Sequence, residues 1–147
     1  MSIILQIATP ETPEQLAAYY DLRWRFLRAP WDQPRGSERD ELEEVAEHVT
    51  ARDGEGRLLG IGRLHLNDEC EAQIRYMAVE EDCRGHGVGR AMVSRLEELA
   101  VAHGVLRIVL NARDTVVGFY EKLGYRIMEE GPTMFDEVKH VRMEKRL

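Results

Sequence analysis

The sequence predicts a mixed α/β protein, in which a central mixed β-sheet carries helices on both faces. Three observations predict it. Short segments of strand character recur along the chain, amphipathic stretches at helical spacing are set among them, and turn residues separate neighbours at close intervals. No internal repeat, low-complexity tract or linker divides the 147 residues, so a single domain over 1–147 is expected. That length suffices to bury a core without disulfides or metals.

Ile3 to Ala8 is rich in β-branched residues and stops at Thr9-Pro10, as a first strand does. Thr12-Pro13-Glu14-Gln15 then supplies a capping Thr, a proline at the first helical position and Gln three residues after the cap. Leu16, Tyr19, Tyr20, Arg23, Phe26 and Leu27 follow at helical spacing, so this helix runs to about Arg28. Ala29 to Ser37 bears proline and glycine and reads as a loop, followed by a short acidic turn from Glu38 to Glu44. His48 to Ala51 and Arg57 to Leu66 are two strands joined by the hairpin signal Asp53-Gly54-Glu55-Gly56, and after Asn67-Asp68-Glu69 a third strand, Ala72 to Val79, completes a meander. Val88, Met92, Leu96, Leu99 and Ala100 mark an amphipathic helix that Gly104 ends. Leu106 to Leu110 suits a strand buried on both faces. Asp114 is the expected cap of a helix through Lys122 that Gly124 closes, and two last strands, Tyr125 to Met128 and Lys139 to Lys145, are expected around a Gly131-Pro132 turn.

The 44% hydrophobic and 32% charged composition is that of a globular protein. A formal net charge of −7 argues against a general nucleic-acid binder, which wants a basic surface. Cys70 and Cys83 form no CxxC or Cys/His cluster, so neither a metal site nor a disulfide framework is expected, and reduced thiols in a cytoplasm are the default. The apolar run at the N-terminus is too short for a signal peptide, and no stretch reaches the roughly eighteen apolar residues of a membrane span. The expectation is a soluble, cytoplasmic protein.

The most informative segment runs from Met77 to Arg90. A strand enters a loop with alternating glycines, Gly85, Gly87 and Gly89, which opens directly onto a helix. Glycines let backbone approach a ligand closely, and the free amides and dipole of a helix start favour phosphate. Arg84, His86, Arg90 and Arg95 make a basic island in an acidic chain. The spacing is neither GxGxxG nor a P-loop with GK[ST]. The alternative is a glycine-rich turn that only shapes the strand–helix corner.

Arg84-x-x-Gly87-x-Gly89, entered from Met77-Ala78-Val79, resembles the pyrophosphate loop of the GNAT superfamily of N-acetyltransferases, and Phe119-Tyr120-Glu121-Lys122-Leu123-Gly124-Tyr125 resembles that family's second signature. The resemblance spans about residues 45 to 130. Pro30 to Asp40, Gly62-Arg63-Leu64 and Ile74 to Val79 are further similar to the acetyltransferase module of bacterial proteins that fuse it to a thioesterase-like domain. The resemblance implies the GNAT-like acyl-CoA N-acyltransferase fold and acetyl-CoA as co-substrate, with an amine attacking the thioester directly. It implies that Met77, Ala78 and Val79 flank the pantetheine arm, with a backbone N–H near Val79 holding the oxyanion. It puts the pyrophosphate on Gly85, His86, Gly87, Val88 and Gly89, with Arg84 and Arg90 nearby, and makes Tyr120 the general acid. The chain departs from the family pattern in two places. Gln73 stands where some members carry a basic Glu, and Arg113 stands where an Asn is usual, Asn111 lying two positions early as the contact to CoA.

Alternation places Arg63 and His65 on one face of their strand, and Gln73, Arg75 and Met77 on one face of the next. If those faces coincide they line a cleft for an acceptor bearing a carboxylate. Equally, they are salt-bridged to the acidic segment Glu38 to Glu47. His65 is the first candidate base and His140 the second. The expected partner is a small-molecule or protein amine, with no nucleic acid and no membrane, and the protein is expected as a monomer or homodimer. Two further readings stand beside this one. One is a non-catalytic acyl-CoA-binding sensor; the other is an acyltransferase using a longer acyl chain or a carrier-protein donor.

Overall fold

The computed structural model describes residues 4–147. Its elements in chain order are β1 (Gln6–Ala8), α1 (Pro13–Leu27), β2 (Glu47–Arg52), β3 (Leu58–Leu66), β4 (Glu71–Val79), α2 (Val88–Ala102), β5 (Arg107–Arg113), α3 (Val117–Lys122), β6 (Arg126–Met134) and β7 (Val138–Arg146). Single 3₁₀ turns occupy Ala29–Trp31, Glu81–Cys83 and Asp114–Val116. The strands form one sheet in the order β1-β2-β3-β4-β5-β7-β6, antiparallel throughout except where β4 lies parallel to β5. The expected element order is therefore the observed one. Ile3, expected at the start of the first strand, lies outside the described residues.

Local chemistry sets the helix ends. The Gln15 amide donates to Thr12 Oγ1 at 3.1 Å and the Thr12 amide to Gln15 Oε1 at 3.3 Å, a reciprocal capping box that starts α1. The N-cap of α2 is Gly87 at φ +80°, which offers no side chain to the first amides. Gly104, at φ +78°, follows the end of this helix. Two expectations are corrected. Asp114 does not cap α3: it sits in a 3₁₀ turn, and Val116 holds the N-cap position. The last hairpin turns at Phe135 and Asp136, both at positive φ, with the Glu137 amide on the Met134 carbonyl at 3.1 Å. Gly131-Pro132 instead falls within β6, at a shift of register between Glu130 and Thr133 that spares the proline a ladder donor.

The helices cover opposite faces. Val88, Met92, Val93, Leu96 and Ala100 of α2 are buried in the larger apolar core. Gly60 and Gly62 of β3 admit this helix, because a Cβ on Gly60 would lie 2.6 Å from Met92 Cε and one on Gly62 would lie 3.1 Å from Leu96 Cδ1. On the other face Tyr19 and Leu22 of α1 pack with Ile61.

What positions the site is a parting of β4 from β5. They pair only from Glu71 with Arg107 to Ile74 with Leu110, although both strands continue. At the same point β4 bulges: Ile61 faces Ala78 while Arg63 faces Arg75, so Tyr76 and Met77 together oppose Gly62, and Tyr76 takes φ +60°. A bulge bends its strand and increases the local twist. Beyond it β5 stays with β7, and the two parallel strands diverge.

Candidate active site

The divergence opens a cavity of about 850 Å³. Its walls are β4 from Gln73 to Val79 and β5 from Leu110 to Arg113. Its floor is the loop and first turn of α2, and Phe119 and Tyr120 close it from α3. Arg28 and Trp31 reach it from the end of α1, Phe135 and His140 from the last hairpin.

Of the sequence-predicted loop residues, Arg84, Gly85, Gly87, Val88, Gly89 and Arg90 line the cavity, and His86 does not. The amides from Gly85 to Arg90 donate to no acceptor among the described residues; the next one, Ala91, bonds the Gly87 carbonyl at 3.0 Å. These free donors sit at the positive end of a fifteen-residue helix, with Arg84 and Arg90 beside them and no carboxylate within ion-pair distance of either among the described residues. The loop therefore offers an anion site rather than a mere corner. Gly85 and Gly87 are needed for their backbone, at φ +83° and +80°. Gly89 is needed for closeness, since a Cβ there would meet Phe119 Cζ at 3.0 Å.

On β4 the Glu80 amide donates to the Leu59 carbonyl at 2.8 Å, so by strand alternation the Val79 amide points away from β3, into the gap. Asn111 Oδ1 is buried without a hydrogen-bond partner among the described residues, and its residue lines the cavity from β5. The oxygen packs beside Gly131 of β6, where an added Cβ would lie 3.2 Å away, and a buried acceptor without a donor is uncommon in folded proteins. The orphaned acceptor, the free loop amides and the unpaired arginines together fit an extended ligand with amide groups at its middle and phosphates at one end.

Tyr120 is 6% exposed and its hydroxyl bonds no other described residue. Burial pushes its pKa well above the ordinary phenol value, so it stays a proton donor. His140 Nδ1 lies 3.1 Å from the Pro132 carbonyl and 3.0 Å from that of Val138. Both partners are acceptors, so Nδ1 carries the proton and the Nε2 lone pair is left free.

The structure does not bring Arg63 or His65 to the cavity. The expected polar faces do coincide, Arg63 opposing Arg75 and His65 opposing Gln73, but they meet the acidic segment. Arg63, fully buried, donates to both Asp40 oxygens at 2.6 and 2.9 Å and to Glu43 at 2.7 Å. Glu43 also holds the equally buried Arg23 at 2.9 Å. His65 Nδ1 accepts from Arg63 Nη2 at 3.1 Å, which occupies the lone pair that a base would use. Burial, then the Arg63 charge, holds the His65 pKa below its ordinary value. Arg75 and Gln73 do line the cavity, Arg75 with one ion pair to Asp40 at 3.0 Å. Met77 lines it too, but the bulge at Tyr76 breaks the alternation: its side chain lies with Leu96 on the α2 face, not with Gln73 and Arg75.

Sequence reasoning missed Arg28, Trp31 and Phe135. Trp31 and Phe135 stack with ring centroids 5.9 Å apart, joining the end of α1 to the hairpin across the cavity mouth. No periodicity marks residues in two loops that meet only through the fold.

A parted parallel strand pair over a glycine loop, with a buried phenol beside it, makes a cleft for an anionic ligand with a proton donor at its side. The sequence model of the Acetyltransferase (GNAT) family matches residues 16–125, and the chain belongs to that family. It is similar to an uncharacterised N-acetyltransferase of Bacillus subtilis strain 168, YjcF: 32% identical over 132 residues, spanning 90% of this chain and 93% of that one. Among solved structures, one from Lactobacillus plantarum, provisionally named as an N-acetyltransferase, has a TM-score of 0.82 at 25% identity, covering 98% of this chain and 99% of the other. An aminoglycoside 6′-N-acetyltransferase complexed with coenzyme A shares the fold, with a TM-score of 0.80 at 20% identity over 98% of this chain and 97% of its own. The protein is an acetyltransferase, and acetyl-CoA is its co-substrate. Among the described residues no helix is long and apolar enough to cross a membrane, and no cluster of three or more His, Cys, Asp or Glu could hold a metal ion.

Proposed function

We propose that this protein transfers an acetyl group from acetyl-CoA to the amine of an acceptor by direct attack. The observation that carries the reading is the parting of β4 from β5 above a run of free amides, with the orphaned Asn111 acceptor between. Acetyl-CoA supplies the activated thioester. The amides of Gly85 to Gly89, with Arg84 and Arg90, hold its pyrophosphate. His86 keeps only its backbone share in that role, because its side chain is exposed. Asn111 takes a pantetheine amide N–H. The Val79 amide meets the charge that develops on the thioester oxygen. His140, through Nε2, takes a proton from the acceptor's ammonium, directly or through a water, and frees the amine lone pair that attacks. Tyr120 gives its proton to the sulfur as the C–S bond breaks.

A kinship with modules fused to thioesterase-like domains rests only on the segments from Pro30 to Asp40, Gly62 to Leu64 and Ile74 to Val79; the relative from Bacillus subtilis is matched over nearly its whole length without such a domain. A single domain, a cytoplasmic setting and a monomeric or homodimeric state belong to the same proposal. A non-catalytic sensor needs neither the buried phenol nor the free imidazole. An aminoglycoside acceptor is disfavoured, because among the described residues no Asp or Glu lines the cavity to meet its ammonium groups. The test is release of free CoA thiol from acetyl-CoA, and from longer acyl-CoAs, in the presence of an amine panel, with the acetylated amine identified by mass. Amine-dependent release supports the reading. Saturable acetyl-CoA binding without acetylation of any amine supports the sensor.

A further inference from the structure

Five arginines line the cavity, Arg28, Arg75, Arg84, Arg90 and Arg113, in a chain of net charge −7. Arg84 and Arg90 stand at the glycine loop, and Arg75 is matched by Asp40 at 3.0 Å. Arg28 and Arg113 have no carboxylate partner among the described residues. Arg28 is 8% exposed. Its Nε donates to the Ser37 carbonyl at 3.0 Å and its Nη1 to that of Leu27 at 2.7 Å, which fixes the guanidinium and leaves Nη2 without an acceptor among the described residues. Arg113 has one contact at the limit of hydrogen bonding, 3.5 Å to the Phe26 carbonyl.

The two guanidinium groups flank one structure. Arg113 lies 4.6 Å from the centre of the Trp31 ring and Arg28 lies 5.5 Å from that of Phe135, the two rings being the stacked pair across the cavity mouth. Arg28 also lies 5.6 Å from the ring of Tyr76, the bulge residue where β4 leaves β5. Arg113 directly opposes His140 across the β5–β7 ladder. The unpaired charges are therefore at the end of the cavity where the free imidazole is, under an aromatic roof. Burial first, then the Arg75 and Arg23 charges, holds Arg28 below its ordinary pKa against the opposite pull of Tyr76 and Glu38, and burial, then the Arg84 and Arg28 charges, does the same to Arg113. Buried guanidinium without a counter-charge is costly, and a planar fork matches an oxyanion.

We propose that the acceptor is a small amine that carries its own anionic group, a carboxylate or a phosphate, and that Arg28 and Arg113 bind this group while the amine faces His140. The inference rests on the acetyl-transfer reading above. Arg113, opposite His140 on the ladder and against Trp31, becomes the specificity residue of this chain, and the roof of Trp31 and Phe135 shields the ion pair from water. The earlier expectation of a carboxylate-bearing acceptor is kept, but its recognition moves from Arg63 to Arg28 and Arg113.

The experiment measures CoA thiol release with 3-aminopropanoate, 3-aminopropyl phosphate, neutral 3-aminopropanamide and the dication 1,3-diaminopropane, alongside calorimetric binding of acetyl-CoA. The expected result is a kcat/KM for one of the anionic amines at least tenfold above those of the amide and the diamine. The two anionic arms decide between carboxylate and phosphate. Arg113→Gln is expected to raise KM for that amine about tenfold to a hundredfold while KM for acetyl-CoA moves less than threefold. Arg28→Lys, which keeps a charge where a larger change could unfold the chain, is expected to raise the same KM at least fivefold. Preference for the neutral or dicationic amine overturns the proposal and leaves acetyl transfer standing. A rise in the KM of acetyl-CoA alone in Arg113→Gln also overturns it, by giving Arg113 to the co-substrate. Absence of both acetyl-CoA binding and thiol release overturns the underlying reading.

Discussion

Replacing Glu43 by Gln tests whether the polar face of β3 is structural rather than part of the acceptor site. Glu43 accepts from Arg23 Nη1 with both oxygens at 2.9 Å, from Arg63 Nη1 at 2.7 Å, from Tyr20 at 3.2 Å and from the Asp40 amide at 3.1 Å. Both guanidinium groups are fully buried. In Glu43→Gln only Asp40 remains to offset two buried cations, and the new amide NH₂ faces donors. Leaving a buried charge uncompensated costs about 3–5 kcal/mol. For a chain of this size that is a fall in Tm of roughly 10 °C, given about 2–4 °C per kcal/mol. The assay is thermal unfolding followed by circular dichroism. Adding Arg63→Met removes one of the two buried cations and is expected to restore at least a third of the loss, with the acceptor KM of the double variant within threefold of wild type. A fall below 3 °C in the single variant refutes the assigned neutralisation. A large rise in acceptor KM in the double variant returns Arg63 to the acceptor site.

Three further outcomes follow from the same geometry. Tyr120→Phe is expected to lower kcat by roughly a hundredfold, within the usual range for a lost general acid, with acetyl-CoA affinity within twofold; an unchanged kcat removes the phenol from the mechanism. Gly87→Val forces a β-branched residue to φ +80°, and is expected to cost about 1–3 kcal/mol of stability while abolishing acetyl-CoA binding, so normal affinity would sink the loop as the pyrophosphate site. Stability is expected to fall as pH drops from 7 to 5. Burial holds His48 and His65 below their ordinary pKa, so beneath about 6.5 the unfolded chain binds protons that the folded one does not. His65→Gln should flatten the Tm–pH slope in that window, and an unaltered slope contradicts the assignment. A separate loss belongs to stronger acid. Although burial works the other way, the Arg63 hydrogen bonds and the Leu42 amide hold Asp40 well below the carboxylate range, so its contribution is complete above about pH 4 and is lost below that.

The sheet, its helices and the glycine loop were legible because each rests on a local signal. The Thr12 capping box, the apolar spacing of Val88 to Ala100 and the glycines at 85, 87 and 89 each act within a few residues. The bulge at Tyr76 was not legible, because no glycine marks its positive φ. Its consequence, that Met77 leaves the face of Arg75, escaped a reading that assumed unbroken alternation. The hairpin turn was misplaced for a similar reason: Phe135-Asp136 lacks the usual glycine, whereas Gly131-Pro132 looks like a turn and is a register shift in β6. Patterning put Arg63, Arg75, His65 and Gln73 on one surface, yet could not say whether that surface meets solvent, ligand or Asp40 and Glu43. Only the packing of the acidic segment decides it. Arg28, Trp31 and Phe135 converge from two loops, and no spacing records that.

The central claim is that the gap between β4 and β5 is the cradle of acetyl-CoA. Calorimetric titration of the wild-type protein with acetyl-CoA, beside ATP and NAD, tests it most directly. Saturable binding selective for acetyl-CoA, lost in Gly87→Val and kept in Tyr120→Phe, is the predicted result. Equal binding of all three ligands, or acetyl-CoA binding that survives in Gly87→Val, would contradict it.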